Sequence, residues 1–123
     1  MQLQLNNTGG NVIQAADVGW VRIDGTTLRS SLVVSRDQLQ ENWGVESVRE
    51  LGESHASKLL ELQPELVIVG TGTQLVFPDR MFLATFLQNG IGCEVMDTLA
   101  ACRTYNVLLG EERAVLAALI LDG

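Results

Sequence analysis

The sequence predicts an α/β domain in which β-hairpins precede a half that alternates strand and helix, and three observations carry the prediction. Short β-type runs punctuated by glycine fill the first third of the chain. The uninterrupted apolar run Leu66-Val67-Ile68-Val69 reads as a strand buried on both faces. A ten-residue helical pattern then separates that run from a further β-type run. Strand, helix, strand at this spacing requires a parallel pair and a right-handed crossover. The 123 residues suit one domain, taken as residues 1–123. A chain of this size buries about two thirds of its extended surface, enough for a core without disulfide or metal staples. No internal repeat or low-complexity tract is visible.

The elements follow in order. Val12-Ile13-Gln14-Ala15-Ala16 and Trp20-Val21-Arg22-Ile23-Asp24 are the first two β-type runs, set off by Gly9-Gly10, Gly19 and Gly25-Thr26. In the second, Val21 and Ile23 alternate with Trp20, Arg22 and Asp24, as in a strand with one buried face. Residues 28–35 form a single third run centred on Leu32-Val33-Val34, and the spacing suggests antiparallel hairpins. Residues 37–65 hold seven acids against Arg49 and Lys58, which is −5 of the chain's net −7. This stretch is expected to present a solvated face with few apolar anchors and to be the least rigid part of the fold. Within it, Ala56, Leu59, Leu60 and Leu62-Gln63-Pro64 make a helical stripe that Pro64 ends.

After the buried strand come Gly70-Thr71-Gly72 and a loop to Pro78. Residues 79–88 have helical spacing through Met81, Leu83, Ala84 and Leu87, closed by Asn89-Gly90. Residues 91–96 read as a strand, Asp97-Thr98 opens a helix ending near Gly110, and residues 113–121 form a final β-type run. On that last helix, Ala100, Ala101, Thr104, Tyr105, Val107 and Leu108 are expected to make the core stripe. Arg103 and Asn106, three apart, fall on the opposite face as candidate surface contacts.

Charge and composition narrow the function classes. Fifteen acids against eight bases give a surface that repels phosphate backbones and anionic lipid heads, so neither nucleic acid nor membrane insertion is expected. No apolar run approaches the length of a transmembrane helix. Met1-Gln2-Leu3-Gln4-Leu5 lacks the basic and long apolar regions of a secretory signal, and a cytoplasmic location is the expectation. Cys93 and Cys102, nine apart, are not a C-x-x-C pair, and two thiols with one histidine do not complete a zinc site without carboxylates. They are expected to be small, reduced, buried hydrophobes.

Candidate chemistry is sparse. His55, the single histidine, lies in a polar stretch and reads as a surface imidazole rather than a catalytic base, and nothing around Lys58 suggests apolar burial. No catalytic residue, metal site or cofactor is assigned. Gly70-Thr71-Gly72 directly follows a buried strand, where glycines allow a tight turn and expose N–H groups to an anion. It is not a dinucleotide fingerprint, since the third glycine position is Leu75 and no G-K-[ST] follows. Asp97 or Thr98 can cap the helix that follows them. If the two preceding strands are parallel neighbours, Gly70, Thr71, Gly72, Asp97 and Thr98 flank one shallow crevice, with the positive end of a helix beside it.

The segment Met96-Asp97-Thr98-Leu99-Ala100-Ala101-Cys102-Arg103-Thr104-Tyr105-Asn106-Val107-Leu108 resembles the family of domain of unknown function 498, which includes the mitochondrial NADH dehydrogenase (complex I) assembly factor 3. Gly70-Thr71-Gly72, the downstream Glu112-Arg113-Ala114-Val115-Leu116-Ala117-Ala118-Leu119, and the upstream Ile23-Asp24-Gly25, Ser31-Leu32-Val33-Val34 and Trp43 agree with it, over residues 15–120. The resemblance implies a three-layer α/β domain around a mixed, mostly parallel central sheet with extra strands from the N-terminal half. It implies no reaction. The first thirty residues, with Asp17, Asp24 and two arginines, do not read as a mitochondrial transit peptide, so the organelle role does not carry over directly. Two readings follow. The preferred one is a non-catalytic binding or assembly-type protein that works through a protein partner. The alternative is an enzyme or binding domain that takes a small anionic or hydrogen-bonding ligand in the crevice, where open α/β sheets bind ligands.

Overall fold

A computed structural model describes residues 10–122, so the amino-terminal segment read above for a signal, with Gly9, lies outside the described residues. Three short strands, β1 (Ile13–Asp17), β2 (Trp20–Ile23) and β3 (Thr26–Leu28), form an antiparallel sheet in that order. The β2–β3 hairpin turns on Asp24 and Gly25, both at positive φ (50° and 78°), the combination that a two-residue turn of matching twist demands. The expected run 28–35 is two strands rather than one. β3 ends at Leu28, and β4 (Leu32–Ser35) belongs to the other sheet, paired antiparallel with β8 (Val115–Leu119). The change of sheet is pinned at Ser31, whose carbonyl accepts from Trp43 N at 2.7 Å and whose hydroxyl accepts from Leu121 N at 3.3 Å.

The second sheet has five strands in the order β5-β4-β8-β6-β7, with β5 (Leu39–Gln40), β6 (Leu66–Gly70) and β7 (Gly92–Met96). It is mixed: β6 pairs parallel with β7 and β8, whereas β4 pairs antiparallel with β5 and β8. The expected parallel strand–helix–strand unit is β6, α2 (Arg80–Gln88), β7. "Mostly parallel" overstates the sheet, because β4 and β5, which precede the parallel unit in sequence, return along one side of it.

Both faces of this sheet are covered. Alternation along β8 sends Val115, Ala117 and Leu119 into one core and Leu116 and Ala118 into the other. The first core also holds the three-stranded sheet and Ala101, Cys102, Tyr105 and Leu109 of α3 (Thr98–Gly110). The second holds Ala56 and Leu59 of α1 (Glu53–Leu60), with Phe82 and Phe86 of α2, ring centroids 5.1 Å apart. α1 stops at Leu60, and Gln63 takes a left-handed conformation (φ 57°) ahead of Pro64.

Three local expectations are corrected. On α2 the buried face is Phe82, Thr85 and Phe86, while Met81 and Leu87 of the expected stripe are exposed. On α3 the buried face turns toward Cys102, Asn106 and Leu109, leaving Val107 exposed. The acidic stretch is better anchored than its charge suggests, with Val45, Val48 and Leu51 buried against the second core and Ser47 and Glu50 closing a capping box on a 3₁₀ turn, Val48–Glu50.

Candidate functional site

The chain leaves β6 for α2 on one face of the sheet and leaves β7 for α3 on the other. Adjacent parallel strands whose connections diverge this way open a crevice at their carboxyl ends. The register pairs Gly70 with Met96, so Gly70-Thr71-Gly72 and Asp97-Thr98 do lie side by side at that edge. β8 delivers a third segment, residues 120–122, to the same place.

The two loops are closer than a crevice allows. Gly72 N donates to Thr98 Oγ1 at 2.7 Å, Thr98 N donates to Gly72 O at 2.9 Å, and Thr71 N donates to Met96 O at 2.9 Å. Thr98 Oγ1 donates in turn to Ile120 O at 2.7 Å, so one buried hydroxyl ties all three segments together. Gly70 has no room for a side chain, since a Cβ there would sit 3.0 Å from Thr98 Cα and Leu119 Cδ2. Gly72 (φ 100°) serves the turn, and a Cβ there would meet the Asp122 carboxylate at 2.5 Å.

The N–H groups expected to greet an anion are therefore spent inside the protein. Thr73 N donates to Asp122 Oδ1 at 2.9 Å, and Ala100 N donates to the Asp97 cap at 2.9 Å. A hollow of about 90 Å³ remains beside them, lined by Asp17, Val18, Gly72, Asp97, Leu99 and Asp122 among others. Three carboxylates on its wall set a negative potential that opposes the expected anionic ligand. A larger hollow, about 260 Å³, lies at the opposite edge among Arg36, Asp37, Glu65, Glu112 and Arg113, and holds none of the candidate binding or contact residues.

The candidate pair on α3 is split. Arg103 is exposed, but Asn106 is only 6% exposed and is no surface contact. Its side chain accepts from Ile13 N at 3.0 Å and donates to Ile13 O at 2.8 Å, clamping β1 to α3. Tyr105 beside it donates to Asn11 O at 2.7 Å, and burial pushes its phenol above the usual range. His55 is a structural cap: Nδ1 accepts from Gly52 N at 3.1 Å, and the ring meets Trp43 edge to face at 6.4 Å. Cys93 and Cys102 are unpaired, and burial raises each thiol to about 12. Among the described residues no group of three or more His, Cys, Asp or Glu could hold a metal ion, and no helix is long and apolar enough to cross a membrane.

Sequence reasoning passed over the loop itself. From the loop after Gly72 into the first turn of α2, Leu75, Phe77 and Met81 are 54%, 67% and 51% exposed, three large apolar side chains within seven residues. The signal was Leu75-Val76-Phe77-Pro78, an apolar run in a connection where polar turn residues are the norm.

Comparison with known proteins finds relatives of this chain. The family model "Protein of unknown function (DUF498/DUF598)" matches residues 13–120. A Xenopus tropicalis protein named NADH dehydrogenase [ubiquinone] 1 alpha subcomplex assembly factor 3 is 38% identical over 80 residues, 63% of this chain and 44% of that protein. This chain thus spans less than half the length of that relative. A Francisella tularensis protein named 13 kDa major membrane protein is 28% identical over 90 residues, 72% of this chain and 73% of that protein. The solution structure of a Xanthomonas campestris protein, 36% identical, superposes with a TM-score of 0.85 over 100% of this chain and 94% of that one.

Proposed function

We propose, because the chain belongs to the family of proteins of unknown function DUF498/DUF598, that it is a non-catalytic, assembly-type protein that docks on another protein through the loop at the carboxyl edge of its sheet. The name of the Xenopus relative supports an assembly-type role. The observation that carries the reading is the exposure of Leu75, Phe77 and Met81 on the loop and first helical turn that follow Gly72 and Thr73, whose own N–H groups are already used. Isolated exposed apolar residues are ordinary, but three within seven residues are the composition of a docking surface. Gly70, Thr71, Gly72, Asp97 and Thr98 act in this reading as the rigid base of that loop, and Arg103 remains a candidate contact on α3. The proposed compartment is the cytoplasm, which the two free cysteines support.

Native mass spectrometry of freshly isolated protein tests the proposal. The expected result is a stoichiometric complex with a second protein that Phe77→Asp abolishes while the fold persists. A small-molecule adduct retained by Phe77→Asp and lost on Asp122→Ala would overturn it in favour of a ligand-binding domain.

A further inference from the structure

We infer that the edge of β7, unpaired among the described residues, is a strand-addition site for an extended, basic segment of a partner protein. The inference rests on the protein-docking reading and says how a partner would be held. Sheet edges in soluble proteins are normally blunted by shortness, charged side chains, proline, a bulge or a cover. The other edge of this sheet follows that rule, because β5 is two residues long. β7 has only the charge of Glu94, which deters a like-charged strand and favours a basic one. Its five residues pair with β6 position for position, from Leu66↔Gly92 to Gly70↔Met96, without a bulge, and its sequence Gly-Cys-Glu-Val-Met holds neither lysine nor proline. α2 and α3 cover its faces, yet Gly92 and Glu94 are exposed and Cys93, Val95 and Met96 are only half-buried.

Backbone alternation shows what the edge offers. Met96 O accepts from Thr71 N on the β6 side, so Val95 and Cys93, one and three positions before it, turn their N–H and C=O groups outward. Glu94 stands at the centre of this row with no ion-pair partner among the described residues. A second copy of this chain is a poor occupant. Full antiparallel overlap of β7 with itself puts Glu94 opposite its own equivalent, and two copies at net −7 repel. A strand with lysine or arginine opposite Glu94 removes both objections and gains the main-chain hydrogen bonds of strand addition.

The test is NMR titration of the isotope-labelled protein with two blocked nine-residue peptides of alternating threonine and valine, one with lysine and one with glutamate at the centre. The expected result is shifts centred on the amides of Cys93, Glu94 and Val95, with the lysine peptide binding about fivefold tighter. Glu94→Lys is expected to invert that preference. Val95→Pro removes an outward donor without touching the β6 ladder, and is expected to abolish binding while the amides of residues 66–70 stay in place. Should Val95→Pro not fold, the Glu94→Lys inversion still decides. Shifts away from β7, equal affinity for the two peptides, or no shift at millimolar peptide would overturn the inference. So would a concentration-dependent dimer mapped to β7, which assigns the edge to a second copy. A native complex lost with Phe77→Asp but unaffected by Val95→Pro sinks the strand-addition site and leaves the docking loop standing.

Discussion

Thr98 and Asn106 each stand at a junction where backbone from distant parts of the chain is satisfied by a single side chain. Thr98 Oγ1 accepts from Gly72 N and donates to Ile120 O. Thr98→Val keeps the shape and strands both groups out of contact with water. Its expected cost is about 2–4 kcal/mol, since each buried unsatisfied group costs about 1–3 kcal/mol. Asn106→Leu strands both backbone groups of Ile13 in the same way. Urea denaturation reads both losses, and amide exchange separates them: the first variant should release Gly72, the second Ile13. An Asn106→Leu protein with unchanged stability would show that β1 is held by the hairpin alone. Gly70→Ala is expected to destabilise by about 1–3 kcal/mol through overpacking against the first turn of α3.

At the scale of elements, the order of strands and helices was legible because strong apolar runs and glycine punctuation mark them. The packing faces were less so. On α2 the four-residue spacing is satisfied twice, by Phe82 and Phe86 and by Leu83 and Leu87, and only the position of α1 and the sheet decides that the phenylalanines face inward. Phe86→Ala is accordingly expected to cost about 3–5 kcal/mol, whereas Leu87→Ser, at a site 80% exposed, should stay within about 0.5 kcal/mol. Thermal denaturation of the two variants checks the assignment, and the reverse ranking would restore the sequence-derived face. The site shows the same division. A strand–helix–strand reading is enough to place residues 70–72 beside 97–98, because parallel neighbours share a carboxyl edge. It says nothing of Asp122, which reaches Thr73 from 49 residues away and takes up one of the donors offered to a ligand. The hairpins of the small sheet were legible, but its boundary was not, since residues 28–35 carry one β-type run across a division that buried Ser31 draws only through tertiary bonds.

For the molecule as a whole, covering both faces of the five-stranded sheet buries Cys102 in the first core and half-buries Cys93 against the second, where a fully buried thiol was expected. That burial couples folding to pH. Both thiols titrate near 9.0 when unfolded and at about 12 in the fold, where desolvation disfavours the thiolate. Folded values above unfolded ones mean that stability is full below pH 9 and falls as pH rises toward 12, because the unfolded chain releases protons that the folded one keeps. Each thiol contributes a slope of about 1.4 kcal/mol per pH unit over that window. Buried Tyr105 adds a loss of the same sign at higher pH. The chain has one lysine and one tyrosine, so few other groups titrate there to mask the effect. Urea midpoints followed from below pH 9 upward are expected to decline steeply in the natural chain and much less in the Cys93→Ala, Cys102→Ala double variant. Parallel declines in the two proteins would mean that the thiols reach solvent in the native state. The same burial predicts that neither thiol reacts with a disulfide reagent at neutral pH until the protein is unfolded. A fast-reacting Cys93 would instead mark β7 as an edge that opens, which bears directly on how a partner strand reaches it.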